Sequence, residues 1–322
     1  MRLPCFLAAL VLAMSTQAQP LKPVAEILLP GVKGRIDHFG VDLAGQRLFV
    51  AALGNDTVEV IDLKANRHLR TLRGFAEPQG IYHVAQSGRL FISSGKADRV
   101  DVFDGKSLEH LRSVDGLGDA DNIRYDASAG KIYVAYEDGL RVLDARSGER
   151  IGDLAVPGHP ESFQLETRGT RIFANVPKRL QVAVIDRAKG AVVDHWSLPA
   201  VAGNYPMALD EAGRRLFVGA RLPATLAVYD LGTGKVVAKV PIGGDSDDVF
   251  FDAGRKRLYV ICGEGFVEVF QQESPDRYKK VQTVPTGPRA RTGLFVPSER
   301  ALFVAQPSSG DTQAKVRRYS VE

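Results

Sequence analysis

Cysteine is nearly missing from this chain: of 322 residues only Cys5 and Cys262 carry a thiol. Two thiols so far apart exclude a disulfide-dense scaffold, a Cys-x-x-Cys metal cluster and a c-type haem attachment site. An excess of one charge is missing as well. The 42 Lys plus Arg against 38 Asp plus Glu leave a formal +4, too little over this length to argue for nucleic acid or a membrane surface. No stretch shows helical periodicity. The one uninterrupted apolar run, Cys5 to Met14, falls short of the roughly twenty residues a membrane-spanning helix needs.

That run sits between Arg2 and the small-residue stretch Ser15-Thr16-Gln17-Ala18, the pattern of a secretory signal peptide. Residues 1–18 are therefore expected to be removed after Ala18, leaving 19–322 in the periplasm or outside the cell. Cys262 would then be the sole cysteine. It follows the strand-like Leu258-Tyr259-Val260-Ile261 and reads as a small buried residue rather than a nucleophile.

Length alone suggests two domains, but a repeat changes that reading. The blocks RLFV, RLFI, KIYV, RIFA, RLFV, RLYV and ALFV begin at positions 47, 89, 131, 171, 215, 257 and 301, spaced by 42, 42, 40, 44, 42 and 44 residues. Around each block the order is constant. An apolar segment such as Phe39 to Val41 leads into an Asp- and Gly-bearing turn, then comes the block itself. An alternating strand ending in Asp follows (Val58 to Asp62, Leu226 to Asp230), and a last strand such as Lys235 to Val240 completes the unit. Four short strands per unit, seven times over, predict an all-β, seven-bladed β-propeller in one domain. The strand-terminal Asp residues are read as turn formers. The seventh unit ends after three strands, and Val24 to Leu29 supplies the strand that would complete its blade and close the ring. Closure hides the strand edges that invite pairing between chains, so a monomer is expected.

Leu48-Phe49-Val50, Ile132-Tyr133-Val134 and Leu258-Tyr259-Val260 resemble the Tyr-Val half of the YVTN repeat, and Val58 to Asp62 and Thr233 to Val237 resemble its second half. Over essentially all of residues 19–322 the chain is similar to the YncE-like group of exported propellers. The final Asn of that motif is replaced by Ala51, Ala135 and Gly219, and the WD dipeptide is lacking, Trp196 being the only tryptophan. The resemblance implies a binding role with a nucleic-acid or protein partner; the residues themselves point to a small molecule or a protein at the channel mouth.

Positions that differ between blades mark the candidate site. Ten residues before each block stand Asp37, Gln79, Asp121, Glu161, Tyr205, Asp247 and Arg291. The next position holds His38, Gly80, Asn122, Ser162, Pro206, Asp248 and Thr292. Two positions earlier come Arg35, Glu77, Asp119, His159, Gly203, Asp245 and Arg289. All lie where the chain enters an innermost strand, so a propeller gathers them at one mouth of its channel. From these, Arg35, Asp37, His38, Asp121, Asn122, His159, Glu161, Asp247, Arg289 and Arg291 are the expected ligand-binding residues.

Two chemistries fit. Arg35, Arg289 and Arg291 could fork onto a carboxylate or phosphate, with His38 and His159 bonding the ligand or moving a proton. Alternatively the carboxylates, with His38, Asn122 or His159, hold a divalent cation, which would open a metal-dependent lactonase- or lyase-like activity. A third account makes the ring a set of staples between blades. Nucleic acid is disfavoured because carboxylates crowd the mouth and no basic, aromatic stripe exists. His83 is expected to line the channel or pack within it, and His68, His110 and His195 to lie away from the mouth. The loops bearing Asn55, Lys96, Tyr136, Glu137, Lys178, Arg221 and Glu264 are expected to form an outer shell.

Overall fold

A computed structural model describes residues 19–322; the expected export signal, Cys5 included, lies outside the described residues. Seven antiparallel four-stranded sheets follow one another around an axis. In the first blade they run outward as Phe39–Asp42, Arg47–Ala52, Thr57–Asp62 and Arg67–Leu72. The innermost strands of the other blades are Pro78–Val84, Ile123–Asp126, Phe163–Leu165, Ala202–Asp210, Ser246–Asp252 and Gly293–Val296. In the seventh sheet the outermost strand is Leu21–Leu28, pairing with Lys315–Val321 so that Leu21 faces Val321 and Leu28 faces Lys315. The N-terminal strand thus closes the ring, as the truncated seventh repeat predicts. Among the described residues the only helical segments are single 3-10 turns at Leu53–Asn55, Pro177–Arg179 and Pro297–Glu299.

The repeated block is apolar without alternation because its strand is covered on both faces by neighbouring blades. Leu48, Phe49 and Val50 are all fully buried, each worth about 1.5–3 kcal/mol of burial. The outermost strands, by contrast, mix exposed and half-buried residues, as Arg67–Leu72 shows. Between the fourth and fifth blades Trp196 fits between Phe173 and Tyr229, ring centroids 5.1 and 5.9 Å away.

The basic residue that opens the block has its own role. Arg47 pairs with Asp42 and donates to the carbonyl oxygens of Gly105 and Lys106 in the next blade. Arg89 reaches the Arg146 carbonyl at 3.1 Å and Arg171 the Leu231 carbonyl at 2.8 Å. At these three junctions a guanidinium ties the start of a block to its neighbour's outer turn. The strand-terminal acids act as turn formers, as expected. Asp62 Oδ1 accepts from the Lys64 and Ala65 amides, both at 2.9 Å, and Asp230 Oδ1 accepts from Gly232 and Thr233. Cys262 is fully buried, and burial pushes its thiol up to about 12.

Candidate functional site

Each inner strand is entered through a sharp reversal. Glu77, Asp119, His159, Asp245 and Arg289 have φ between 51° and 62°, with Gly203 at 70°. This left-handed conformation costs a non-glycine residue roughly 1–2 kcal/mol. It turns the chain so that the residue two places on points across the mouth. In the first blade Gly34, at φ 74°, takes this part instead of Arg35.

These reversals line a cavity of about 250 Å³ with Arg35, His38, Gln79, Asp119, Asp121, Asn122, His159, Glu161, Ser162, Tyr205, Arg221, Asp247 and Arg291. Eight of the ten expected residues are in that lining. Asp37 stands directly behind it, fully buried and in contact with Arg35 and His38. Arg289 is the residue that the fold does not bring in. It is exposed on the rim and donates to the Ser308 carbonyl at 3.3 Å. Arg221, expected in an outer shell, sits instead in the wall, its guanidinium 4.1 Å above the Tyr205 ring. His83 is half-buried and lines the channel. His68 and His110 lie on outer strands, bonded to Glu59 at 2.7 Å and Asp101 at 3.2 Å.

The arginines are not free. Arg35 lies 2.9 Å from Asp37. Arg291 contacts Asp247 at 2.7 Å and Asp245 at 2.9 Å, and Arg221 also pairs with Asp247 and, at 3.3 Å, with Asp245. Acids and arginines that look segregated along the chain alternate in space, because Arg291 of the last blade stands beside Asp247 of the sixth. An anion reaching these forks has to displace a carboxylate from each.

His38 is held at the centre. Its Nε2 lies 3.6 Å from Asp37 and 3.8 Å from Asp121, and its Nδ1 lies 3.6 Å from Asp248. Burial opposes its charge, but Asp37, Asp248 and Asp121 outweigh burial and lift the imidazole to about 10. It is therefore a fixed cation at neutral pH and a poor general base. The Asn122 amide lies 3.1 Å from Nε2. With both ring nitrogens protonated, the Asn122 oxygen is the group that must face it.

The third and fourth blades carry the surplus of acid. Asp121, His159 and Glu161 present one ligand atom each, all within 4.8 Å of one another. Asp121 is 5% exposed, and its Oδ1 is buried with no hydrogen-bond donor. Burial first, then the charges of Asp121, Asp247 and Asp119, hold the Glu161 carboxyl far above the usual range. Burial likewise raises Asp121 and Asp247. A buried acid cluster that keeps a proton is a place where a cation can replace that proton. Two carboxylates and one imidazole also leave positions open in a four- to six-coordinate shell for ligand oxygens.

No family model matches the chain, and no curated protein matches it. Solved structures do. One titled Kuenenia stuttgartiensis Hydrazine Synthase is 17% identical, with 91% of this chain and 99% of that one covered and a TM-score of 0.78. Another, titled Crystal Structure of Mitotic Checkpoint Complex, is 15% identical, with 99% of each chain covered and a TM-score of 0.79. At such identities the likeness shows the fold: this chain is an all-β, seven-bladed propeller.

Proposed function

We propose that the propeller is an exported binding protein whose mouth holds a divalent cation on Asp121, His159 and Glu161, with a small oxygen-donor molecule completing the shell. The observation that carries this reading is the convergence of Asp121, His159 and Glu161, one ligand atom each within 4.8 Å of the others, beside an Asp121 Oδ1 that is buried without a hydrogen-bond donor. His38 faces Asp121 only at 3.8 Å and shares its charge with Asp37 and Asp248, so burying this acid cluster still costs free energy that a cation in the cluster would offset. The arginine-anchored alternative is weaker because Arg35, Arg221 and Arg291 already have carboxylate partners. The nitrogen donor favours Mn²⁺ or Zn²⁺ over Ca²⁺. Export and kinship with the YncE-like group belong to the same reading. They rest on residues 1–18 and on the repeated blocks, and cell fractionation checks the first of them.

The test is titration of chelator-treated protein with Mn²⁺, Zn²⁺ and Ca²⁺, followed by calorimetry and thermal shift. One ion per chain should bind, and Asp121→Asn should weaken it at least about tenfold, the effect of losing one anionic ligand. Absence of binding at about millimolar ion would overturn the reading, since even weak extracellular sites saturate there. The lactonase- or lyase-like alternative requires turnover of a lactone panel that follows metal occupancy. Binding without turnover keeps the binding role alone.

A further inference from the structure

Below the mouth the channel widens into a second chamber of about 480 Å³ that shares only His38 and Asn122 with the pocket above. The His38–Asn122 contact, between the starts of the first and third inner strands, stands between the two. On its other side the chamber reaches Leu43 and Ala44, the turn after the first inner strand. It therefore opens at the opposite end of the ring. Its wall is mostly apolar, with Phe250 and Leu294 half-buried in it and Phe39 and Ile81 packed into the blades at its edge.

One strong charge stands in that apolar wall. Arg124, on the third inner strand, makes a single hydrogen bond among the described residues, from Nη1 to the Ile123 carbonyl at 2.9 Å, and joins no ion pair there. Its guanidinium carbon lies 5.5 Å from the Phe163 ring centroid. The other ionised groups of the chamber are already matched. Asp248 accepts from the Gly293 amide at 2.8 Å and faces His38, and His38 has Asp37 and Asp121 behind it. His83 is pushed down by burial, against Asp42, toward the neutral form. Among the described residues Arg124 is thus the one cation of the chamber without an ion pair, Asp248 acting on it only from beyond salt-bridge distance, and its remaining N–H groups form a fork of the kind that receives a carboxylate. A volume of this size fits an entire small ligand, with apolar walls for its body and a few polar groups to set its direction.

We infer that the lower chamber binds a monocarboxylate with an apolar tail or ring, its carboxylate on Arg124 and its body against Phe250, Leu294 and Ile81. The inference does not rest on the cation reading, because neither Asp121, His159 nor Glu161 touches this chamber.

The probes are octanoate and 3-phenylpropanoate, each against its primary amide, measured by calorimetry on the whole chain of residues 19–322. The acids should bind one per chain, and the amides about tenfold or more weakly, since a neutral amide cannot form the charge-assisted pair. Arg124→Met, which keeps the apolar bulk, should remove that preference. Leu294→Phe narrows the chamber without touching the guanidinium and should weaken octanoate while leaving the acid-over-amide preference. If Arg124→Met does not fold, Leu294→Phe and the amide comparison decide. Equal affinity for acid and amide, no binding of either acid, or an octanoate affinity indifferent to Leu294→Phe would each overturn the assignment. Added Mn²⁺ serves as the independent control: acid binding that persists while the ion does not bind sinks the cation reading alone.

Discussion

Glu161 shows how much of this molecule is decided by single side chains. In the ion-free protein its carboxyl keeps a proton because burial and the Asp121, Asp247 and Asp119 charges disfavour ionisation. A glutamine copies that neutral form, so Glu161→Gln should leave the ion-free melting temperature unchanged or slightly raised while abolishing the shift produced by Mn²⁺. A staple role predicts the opposite, a loss of stability with or without ion. His38 makes the complementary pH prediction. Its folded value of about 10 exceeds the ordinary 6.5, so its stabilisation is complete below pH 6.5 and is lost as pH rises through 10. Thermal melts of the ion-free protein should fall across that window, and His38→Asn should flatten the decline. Ion binding itself should release close to one proton near neutral pH, read from calorimetry in buffers of different ionisation enthalpy.

The strand and its turns carry the repeat, and here the sequence was easy to read. Seven blocks at near-constant spacing, each followed by an Asp-bearing turn, demand four strands per unit. Arg47, Arg89 and Arg171 add that three of the blocks open on a guanidinium reaching the next blade. Removing one should loosen a junction: Arg47→Ala should cost about 1–3 kcal/mol in chemical denaturation, the range for breaking charged hydrogen bonds, with Arg47→Lys recovering little of it. The mouth was legible for the same reason, since entries to inner strands differ from blade to blade against a constant background. The pairing within it was not, because whether Arg291 meets Asp247 depends on ring closure and on left-handed turns that no spacing reveals. Tyr82, Arg124, Gln164 and Phe250 escaped because they sit three residues further along, within strands read as framework. Comparing blades seven residues before each block, where Gly40, Tyr82, Arg124, Gln164, Ala208, Phe250 and Leu294 align, would have exposed them.

At the scale of the whole ring, the seventh blade is the weak link in assembly and the lock once formed. Leu21 and Ile27 of its outer strand are buried, and Gln282 of the sixth blade clamps the Leu21 backbone, donating to its carbonyl at 2.9 Å and accepting from its amide at 2.8 Å. Ile27→Ala should cost about 2–5 kcal/mol, as buried aliphatic truncations do, and should show first as exchange of the Lys315–Val321 amides before the rest of the ring opens.

That lock has a timetable. Leu21 pairs with Val321 and the Glu322 amide reaches the Pro20 carbonyl at 3.0 Å, so of the described strands the one made earliest waits for the one made latest. Until Lys315–Val321 emerges, Leu21–Leu28 is an unpaired edge and the seventh blade lacks both of its outer strands. A chain cut short before that strand should keep six blades' worth of local pairing and yet expose an adhesive edge, so the final seven strand residues act as a completeness check on everything made before them.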